Sequence, residues 1–389
     1  MKIFISTGEV SGDWQAALLI KALRGYADAN GIDLEIVALG GDRMKEAGAI
    51  MLGNTVGIGS IGLLEALPFV IPTIWVQWQA KQKLRRSPPD LVILIDYVTP
   101  NLAMARFTKE VLKVPVIYYI APQAPGWVWA LGDREAKEIV SFTDKILAIF
   151  PQEAKYYEEY GGNVVWVGHP MVEVMAKFPD KLTARSQLGI PESDLVVGIL
   201  PASRLQELKY LLPVMLEAAQ KIQAQLPQVK FWLPLSMERY RAKIEQLFQE
   251  YKIPVQIISG QSQLLMRAAD LILTKSGTVN LEAALLDVPQ VVVYKVSKIT
   301  EWIAVNLLKF SIPFMAPPNL MVMREIVPEF LQTKATGDRI AAACLDLILD
   351  SAKRQQTLID YAEVRDRLNG KDTMAKVVKE IFSTVKMSS

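Results

Sequence analysis

The chain has little of several residue types on which common catalytic and structural devices depend. It has one cysteine and one histidine among 389 residues. These numbers exclude a disulfide framework, a cysteine-based metal cluster and any triad that needs a second histidine. The formal net charge is only +2, which gives no broad electrostatic basis for binding nucleic acid. A general base is therefore expected to be a carboxylate or His169.

An unbroken hydrophobic run of membrane-spanning length is also missing. Residues 56–78 are the most apolar stretch, but Pro68 and Pro72 are expected to interrupt any helix there. A basic cluster follows directly and consists of Lys81, Lys83, Arg85 and Arg86. Apolar residues with two tryptophans, followed by basic residues, are typical of a peripheral protein on an anionic membrane. A helix hairpin that covers the sheet is the alternative. The first strand is predicted at once, over 2–6, so no signal peptide is expected.

Short apolar runs alternate with helical patterns along most of the chain. The runs show little polar alternation, which is typical of parallel strands buried on both faces. They lie at 2–6, 34–39, 91–95, 116–120, 145–149 and 164–167, and again at 195–200, 230–235, 255–258, 271–273 and 290–293. A polar connection with two prolines separates the two sets near residue 180. The pattern predicts an α/β protein of two doubly wound, Rossmann-like domains.

Polar loops follow several of the predicted strands, at the sheet edge where such folds bind ligands. Glu9, Ser11, Gly12 and Asp13 follow the first strand, and Asp96 and Thr99 follow the third. Trp127 and Trp129 lie in a later loop, where they either stack on a sugar or pack beneath it. Arg204 follows a strand of the second half, where it either neutralises a diphosphate or pairs with Glu207. Together the loops predict a cleft with an acceptor side and a donor side.

The segment Ser276-Gly277-Thr278 lies between a predicted strand and a predicted helix that carries Glu282. Free backbone N–H groups at a helix start favour phosphate, and the two hydroxyls add donors. Glu282 lies one turn further on, where its carboxylate can accept hydrogen bonds from a ribose diol. The segment predicts a site for a nucleotide-activated sugar. The alternative is an ordinary capped helix with an exposed glutamate.

The ordered motifs resemble those of the lipid-A-disaccharide synthase family from residue 1 to about 335. They are GEVSGD (8–13), IDYVTPN (95–101), GHP (168–170), LPASR (200–204), SGTVNLE (276–282) and PPNLMVMRE (317–325). The resemblance implies a GT-B fold and an inverting transfer from a UDP-activated diacylglucosamine to a lipid monosaccharide phosphate. It implies that Ser276, Gly277, Thr278 and Glu282 hold UDP. It places Arg204, Asn319, Arg324 and Glu325 on the donor side, and Glu9, Ser11, Gly12 and Asp13 on the acceptor side.

The chain departs from the family pattern at Thr99, which stands where the family has the aspartate regarded as its general base. A threonine does not accept a proton at neutral pH. Either Asp13 or Asp96 replaces that base, or the acceptor differs, or the chain has another role. Asp96 follows an apolar strand, where burial would raise its pKa, whereas the helix that Asp13 opens would keep Asp13 ionised.

The sequence therefore predicts a UDP-sugar-dependent glycosyltransferase that acts on a lipid-linked acceptor, with no cofactor and no metal. Domains are expected at 1–175 (acceptor side) and 190–350 (UDP-sugar side), with helices over 351–389 returning to the first domain. The protein is expected in the cytoplasm, on the inner membrane face through residues 56–86, as a possible homodimer through its tail. The alternatives are a UDP-GlcNAc 2-epimerase and a non-catalytic lipid- or nucleotide-binding protein on the same scaffold.

Overall fold

A computed structural model describes residues 1–56, 63–121, 133–201, 205–235, 237–302, 306, 313–368 and 370–386. The chain divides into two units. The first is Met1–Pro170 together with Gly370–Ser389, and the second is Met171–Asn369. The boundary therefore lies at Pro170, a little before the polar connection at which the sequence predicted it.

Seven parallel strands form the sheet of the first unit, in the order β3-β2-β1-β4-β5-β6-β7. The strands are β1 (Lys2–Ser6), β2 (Glu35–Gly40), β3 (Ile50–Asn54), β4 (Leu91–Ile95), β5 (Val116–Tyr119), β6 (Lys145–Ala148) and β7 (Val164–Trp166). Every residue of β4 is buried, as the continuous apolar runs predicted. The α-helices between these strands are α1 (Val10–Ala29), α2 (Asp42–Glu46), α3 (Leu63–Arg86), α4 (Val98–Phe107), α5 (Asp133–Phe142) and α6 (Pro151–Glu159).

Six parallel strands form the sheet of the second unit, in the order β10-β9-β8-β11-β12-β13. They are β8 (Val196–Leu200), β9 (Lys230–Leu235), β10 (Val255–Ser259), β11 (Leu271–Lys275), β12 (Gln290–Tyr294) and β13 (Glu329–Leu331). The helices from the unit boundary onward are α7 (Pro170–Met175), α8 (Lys181–Leu188), α9 (Leu205–Gln225), α10 (Arg241–Glu250), α11 (Ser262–Ala268), α12 (Val279–Leu285), α13 (Lys298–Trp302), α14 (Pro317–Val322), α15 (Gly337–Leu349), α16 (Ser351–Leu368) and α17 (Thr373–Lys386). The predicted class, an α/β protein with two doubly wound domains, is confirmed.

The two helices of the tail belong to different units. Helix α16 packs against α12, α14 and α15 in the second unit. Helix α17 packs against α1 in the first unit, where the rings of Tyr26 and Phe382 lie 4.6 Å apart. Lys145, at the start of β6, forms an ion pair of 2.7 Å with Glu380. The return to the first unit therefore begins at Gly370, and the first half of the segment 351–389 remains with the second unit.

Helix α3 is continuous from Leu63 to Arg86 and includes both Pro68 and Pro72. The predicted interruption of this stretch is therefore wrong, and so is the alternative of a helix hairpin. Pro72 lies on the exposed side of the helix, where water can satisfy the carbonyl that its missing N–H leaves free. Ala80 and Leu84 in the next turns are buried in the core and hold the helix on the sheet. No helix within the described residues is both long and apolar enough to cross a membrane.

Candidate functional site

The sequence motifs lie at the topological switch point of each sheet. In the first unit the strand order reverses between β1 and β4, and in the second between β8 and β11. Ligands of doubly wound sheets bind at the carboxyl ends of the strands beside such a reversal. GEVSGD and IDYVTPN follow β1 and β4, whereas LPASR and SGTVNLE follow β8 and β11. Each unit therefore has one candidate site.

The loop after β1 turns tightly into α1. Glu9 is the N-cap residue of α1 and is half-buried, as is Ser11. Gly12 is buried, and a Cβ atom at this position would lie 2.1 Å from the hydroxyl oxygen of Thr7. Only glycine therefore fits there, so the structure assigns Gly12 a packing role beside Glu9 and Ser11.

Asp13 is a structural cap for a neighbouring helix. Its carboxylate accepts hydrogen bonds from the backbone N–H groups of Gly41 at 2.8 Å, Arg43 at 3.2 Å and Met44 at 3.3 Å. These donors belong to the start of α2. Burial raises the pKa of the Asp13 carboxyl, although the three N–H groups oppose the shift. The expectation that the start of α1 keeps the pKa of Asp13 low is therefore wrong. The carboxylate points toward α2 and caps that helix.

Asp96 lies on an unusual turn between β4 and α4. Both Asp96 and Tyr97 are in the left-handed region, with φ of 48° and 54°. The carbonyl of Asp96 accepts hydrogen bonds from Asn101 Nδ2 at 2.7 Å and from the Tyr118 hydroxyl at 2.8 Å. The side chain of Asp96 is half-buried, whereas Thr99 is exposed in the first turn of α4. Two buried polar side chains thus hold the backbone carbonyl of the turn that carries the Asp96 carboxylate.

A second acidic side chain near Asp96 is Glu153, whose pKa is affected by the charge of Asp96. This residue was not predicted from the sequence. It is buried at the start of α6, and its Oε2 accepts from the backbone N–H groups of Ile149 at 3.1 Å and Phe150 at 3.3 Å. Burial raises the pKa of Glu153 to about 8, and the charge of Asp96 acts in the same direction. The Pro-x-Glu pattern at 151–153 is a helix-start signature that could have located it.

His169 is unsuited to act as the base. It is buried beside the ring of Phe150, with ring centres 5.1 Å apart. Burial lowers the pKa of the imidazole to about 3, so it stays neutral and is a weak proton acceptor. Of the two carboxylates that the sequence singled out as bases, Asp13 caps α2, and Asp96 lies half-buried on the turn after β4.

In the second unit, the SGT segment is held by its neighbours. The Ser276 hydroxyl donates to the Met315 carbonyl at 2.6 Å, and the Gly277 N–H donates to Asn280 Oδ1 at 2.8 Å. Thr278 is the N-cap residue of α12, which is only 7 residues long. Ser276, Gly277 and Thr278 are all half-exposed. One of the backbone donors expected to face phosphate is therefore already used by Asn280.

Glu282 is only 8% exposed. Its Oε2 accepts a hydrogen bond of 2.9 Å from Gln263 Nε2 in α11. The alternative of an exposed surface glutamate is therefore wrong. Gln263, which the sequence did not single out, holds the carboxylate in one orientation behind the SGT segment.

The three predicted donor-side residues of the PPNLMVMRE motif differ in role. Asn319 is fully buried. Its Nδ2 donates hydrogen bonds to the Val327 carbonyl and to the Glu329 carboxylate. Its Oδ1 accepts hydrogen bonds from the backbone N–H groups of Ile326 and Val327. It therefore shapes the loop and has no polar atom left for a ligand. Arg324 pairs with Asp360, at 2.8 Å, and with Glu363 in α16. Both of these pairings lie within the second unit, and the donor-side role of Arg324 stays a prediction. Glu325 is exposed.

Three predicted residues, Arg204, Trp127 and Trp129, lie outside the described residues. Within the part of the chain that the structure describes, no group of three or more His, Cys, Asp and Glu side chains is arranged to hold a metal ion.

Comparison with known proteins identifies the family. The profile of lipid-A-disaccharide synthetase matches residues 3–382. The chain belongs to the lipid-A-disaccharide synthetase family. The lipid-A-disaccharide synthase of Gloeothece citriformis is 51% identical over 386 residues, which cover 99% of this chain and 100% of that protein. The enzyme of the same name from Synechocystis is 48% identical over 371 residues, with 95% and 94% covered. The predicted family is confirmed, and the chain is a glycosyltransferase of lipid A biosynthesis.

Solved structures of the same fold are much more distant in sequence. A co-structure of S. aureus MnaA with UDP has a TM-score of 0.66 at 14% identity and covers 98% of this chain and 95% of that chain. A UDP-GlcNAc 2-epimerase of Neisseria meningitidis, bound to UDP-GlcNAc, has a TM-score of 0.58 at 16% identity, with 100% of both chains covered. At such identities the likeness concerns the fold alone. The epimerase alternative therefore has no support beyond shared architecture.

Proposed function

We propose that the chain transfers a glucosamine-type sugar from UDP to a lipid-linked acceptor, with inversion at the anomeric carbon and release of UDP. The observation that carries the proposal is the buried carboxylate of Glu282 behind the half-exposed SGT segment at the carboxyl end of β11. A carboxylate there can accept hydrogen bonds from the two ribose hydroxyls. The hydroxyl of Thr278 and the remaining N–H groups at the start of α12 would face the diphosphate.

The acceptor reacts in the first unit in this proposal. Asp96 takes the proton from the acceptor hydroxyl, and the oxygen attacks the anomeric carbon as the bond to UDP breaks. The proton ends on the Asp96 carboxyl, and the electron pair of the breaking bond leaves with UDP. Ser11 and Glu9 lie at the neighbouring strand end, where they would orient acceptor hydroxyls. Arg204 keeps the donor-side role that the family resemblance implies, and Trp127 and Trp129 keep the acceptor-side position expected of their loop.

Helix α3 supports association with a lipid surface. The exposed face of its described side chains carries Val70, Ile71, Ile74, Trp75 and Trp78, of which Ile71 is 78% exposed. These positions form one stripe of the helix. Lys83, Arg85 and Arg86 are exposed near its end. We propose that this stripe rests on the anionic cytoplasmic leaflet of the inner membrane, with the basic residues at the headgroups.

Lys81 does not belong to that basic surface. Its ammonium group donates to the Ala103 carbonyl at 3.0 Å and lies 5.5 Å from the centre of the Phe107 ring. Burial lowers the pKa of Lys81, and the nearby charge of Arg85 adds to the effect. The membrane proposal therefore rests on three basic residues instead of four. A homodimer formed through exchange of the tail also remains a proposal; α17 packs on α1 of its own chain.

An assay of UDP release tests the proposed reaction. With UDP-diacylglucosamine and a lipid monosaccharide phosphate, we expect UDP and a lipid disaccharide in equal amounts. Without the lipid acceptor, we expect no UDP. Conversion of UDP-GlcNAc to a 2-epimer would favour the epimerase alternative instead. Binding of UDP without any turnover, over a panel of lipid acceptors, would favour the non-catalytic alternative, which Thr99 keeps open.

A further inference from the structure

Tyr97 connects three parts of the first unit. A Cβ atom at Gly8 would lie 2.4 Å from Cε1 of Tyr97 and 2.5 Å from its Cζ, so the ring packs directly on the Gly8 backbone. The phenol hydroxyl forms a hydrogen bond with the side chain of Thr73 in α3. The backbone of Tyr97 follows Asp96 in the left-handed turn. One aromatic side chain thus joins the loop after β1, the helix with the exposed apolar stripe and the turn that carries the candidate base.

The turn at Asp96 and Tyr97 needs such contacts. The left-handed region is strained for a residue other than glycine, and two such residues follow each other here. Surrounding groups have to hold such a conformation for it to persist. Asn101 and Tyr118 hold the Asp96 carbonyl from the sheet side. Tyr97 is held on its other side, through its ring and its hydroxyl.

The position of the ring depends on α3. Thr73 is half-buried and lies beside Ile74 and Trp75 of the exposed stripe. The later turns of α3 are fixed to α4, because Lys81 donates to the Ala103 carbonyl. The bond between Tyr97 and Thr73 therefore ties the turn to an earlier part of α3, next to the surface proposed to meet lipid.

We propose that Tyr97 is a positioning residue for the transfer: its ring, held between Gly8 and Thr73, fixes the turn that presents the Asp96 carboxylate to the acceptor. The inference rests on the proposed function, because turnover with a lipid acceptor is its readout. It assigns no proton transfer to the phenol. The role requires only that the hydroxyl keep its bond to Thr73.

A double-mutant cycle on the full-length protein tests this role. Tyr97→Phe and Thr73→Val each remove one partner of the bond, and Thr73→Ser keeps a hydroxyl at the same place. We expect each of the first two variants to lower kcat about 3- to 10-fold, the effect of one net hydrogen bond. The double variant should be no slower than either single variant, since both changes break the same contact. Thr73→Ser should restore most of kcat, while the KM for acceptor and the affinity for UDP stay unchanged.

Tyr26→Phe is the matched control, since Tyr26 lies on α1 against Phe382, at the contact with the returning helix. Its kcat should equal that of the wild type. Unchanged kcat in Tyr97→Phe would overturn the inference. A double variant whose fold-loss in kcat equals the product of the two single losses would also overturn it, because the two changes would then act independently. A loss confined to KM would overturn it too, because it would indicate direct contact with the acceptor. An inactive wild type would instead count against the proposed function, so the two failures are distinguishable. Circular dichroism at the assay temperature verifies that each variant is folded.

Discussion

Asp13 Oδ1 lies 2.8 Å from the backbone nitrogen of Gly41 and accepts its N–H at the start of α2. A Cβ atom at Gly41 would lie 2.6 Å from Asp13 Oδ2, so the glycine makes room for the carboxylate. The contact joins the first turn of α1 to the helix after β2. Asp13, the last residue of GEVSGD, therefore has a structural role as the cap of α2. Its position in the motif does not indicate this role.

Asp13→Asn should therefore reduce stability more than it reduces the intrinsic rate. The amide replaces one acceptor oxygen with an NH₂ group that faces backbone donors, and we expect a loss of about 1–3 kcal/mol in the free energy of unfolding. Urea denaturation measures this loss. Asp42→Asn, one residue along at the exposed start of α2, is the control. Full stability together with complete loss of turnover would show instead that Asp13 is the base.

The sheets were predictable because their strands are buried on both faces. Runs such as Leu91–Ile95 are short and apolar at every position, which is typical of strands in a parallel sheet that helices cover on both faces. The switch-point loops follow from that topology, which is why the motifs fell at the right strand ends. Glu282 was placed correctly at a helix start because the spacing from Thr278 is local.

Contacts between distant segments could not be read in the same way. Asn319 forms hydrogen bonds with Val327 and Glu329, and Arg324 forms an ion pair with Asp360 of α16. These pairings depend on the tertiary fold and cannot be read from the local sequence. The continuity of α3 through Pro68 and Pro72 depends on which side of the helix faces water, and local propensity does not show this. The motif that resembled a donor loop therefore contains residues that shape the loop as well as residues that can face a ligand.

Glu282→Ala should weaken UDP binding by about 1–3 kcal/mol, the loss expected for charge-assisted hydrogen bonds to the ribose. The same variant should bind 2′-deoxy-UDP with a smaller loss, because one of the two hydroxyls is already missing. Isothermal titration calorimetry with both nucleotides measures the difference. Glu245→Ala, on the exposed face of α10, should leave both affinities unchanged. Equal losses for UDP and 2′-deoxy-UDP would argue against contact with the 2′-hydroxyl.

The basic end of α3 should strengthen binding to anionic vesicles. Changing Lys83, Arg85 and Arg86 together to Gln should cost about 1 kcal/mol for each residue at low salt. Sedimentation with vesicles of anionic and neutral lipid measures the bound fraction. A matched triple variant in the second unit, Lys243→Gln, Lys252→Gln and Arg339→Gln, removes the same charge from exposed positions and should bind as the wild type does.

The apolar stripe predicts a separate effect that salt does not screen. Ile71→Ser with Ile74→Ser should reduce vesicle binding at high salt as well as at low salt, because the buried apolar area supplies that part of the affinity. If neither the basic nor the apolar variants change the bound fraction, α3 does not meet the membrane.

Glu153 should make the stability of the protein fall as pH rises. Its pKa is raised from an ordinary value near 4.5 to about 8 in the folded state, so the native state holds a proton that the unfolded state releases. Stability from this group is complete below about pH 4.5 and is lost as pH approaches 8, with a slope of at most about 1.4 kcal/mol per pH unit.

Glu153→Gln should remove that slope. Its amide oxygen can accept the two N–H groups of Ile149 and Phe150, as Oε2 does now. Urea unfolding of both proteins between pH 5.5 and pH 8 should show the variant gaining relative to the wild type as pH rises. Parallel curves over this range would mean that Glu153 is ionised in the folded protein.

The identity of the base is the most consequential test, because Thr99 departs from the family pattern. Asp96→Asn should abolish turnover while UDP binding persists, since the amide cannot accept the acceptor proton and the backbone contacts of the turn stay in place. Thr99→Asp adds a carboxylate at an exposed position in the first turn of α4, where the helix start favours its charge. Steady-state UDP release with the lipid acceptor, beside wild type, separates the possibilities. Activity in wild type that vanishes in Asp96→Asn supports a base at Asp96. An inert wild type that gains activity in Thr99→Asp would mean that this chain has lost the proton acceptor of its family.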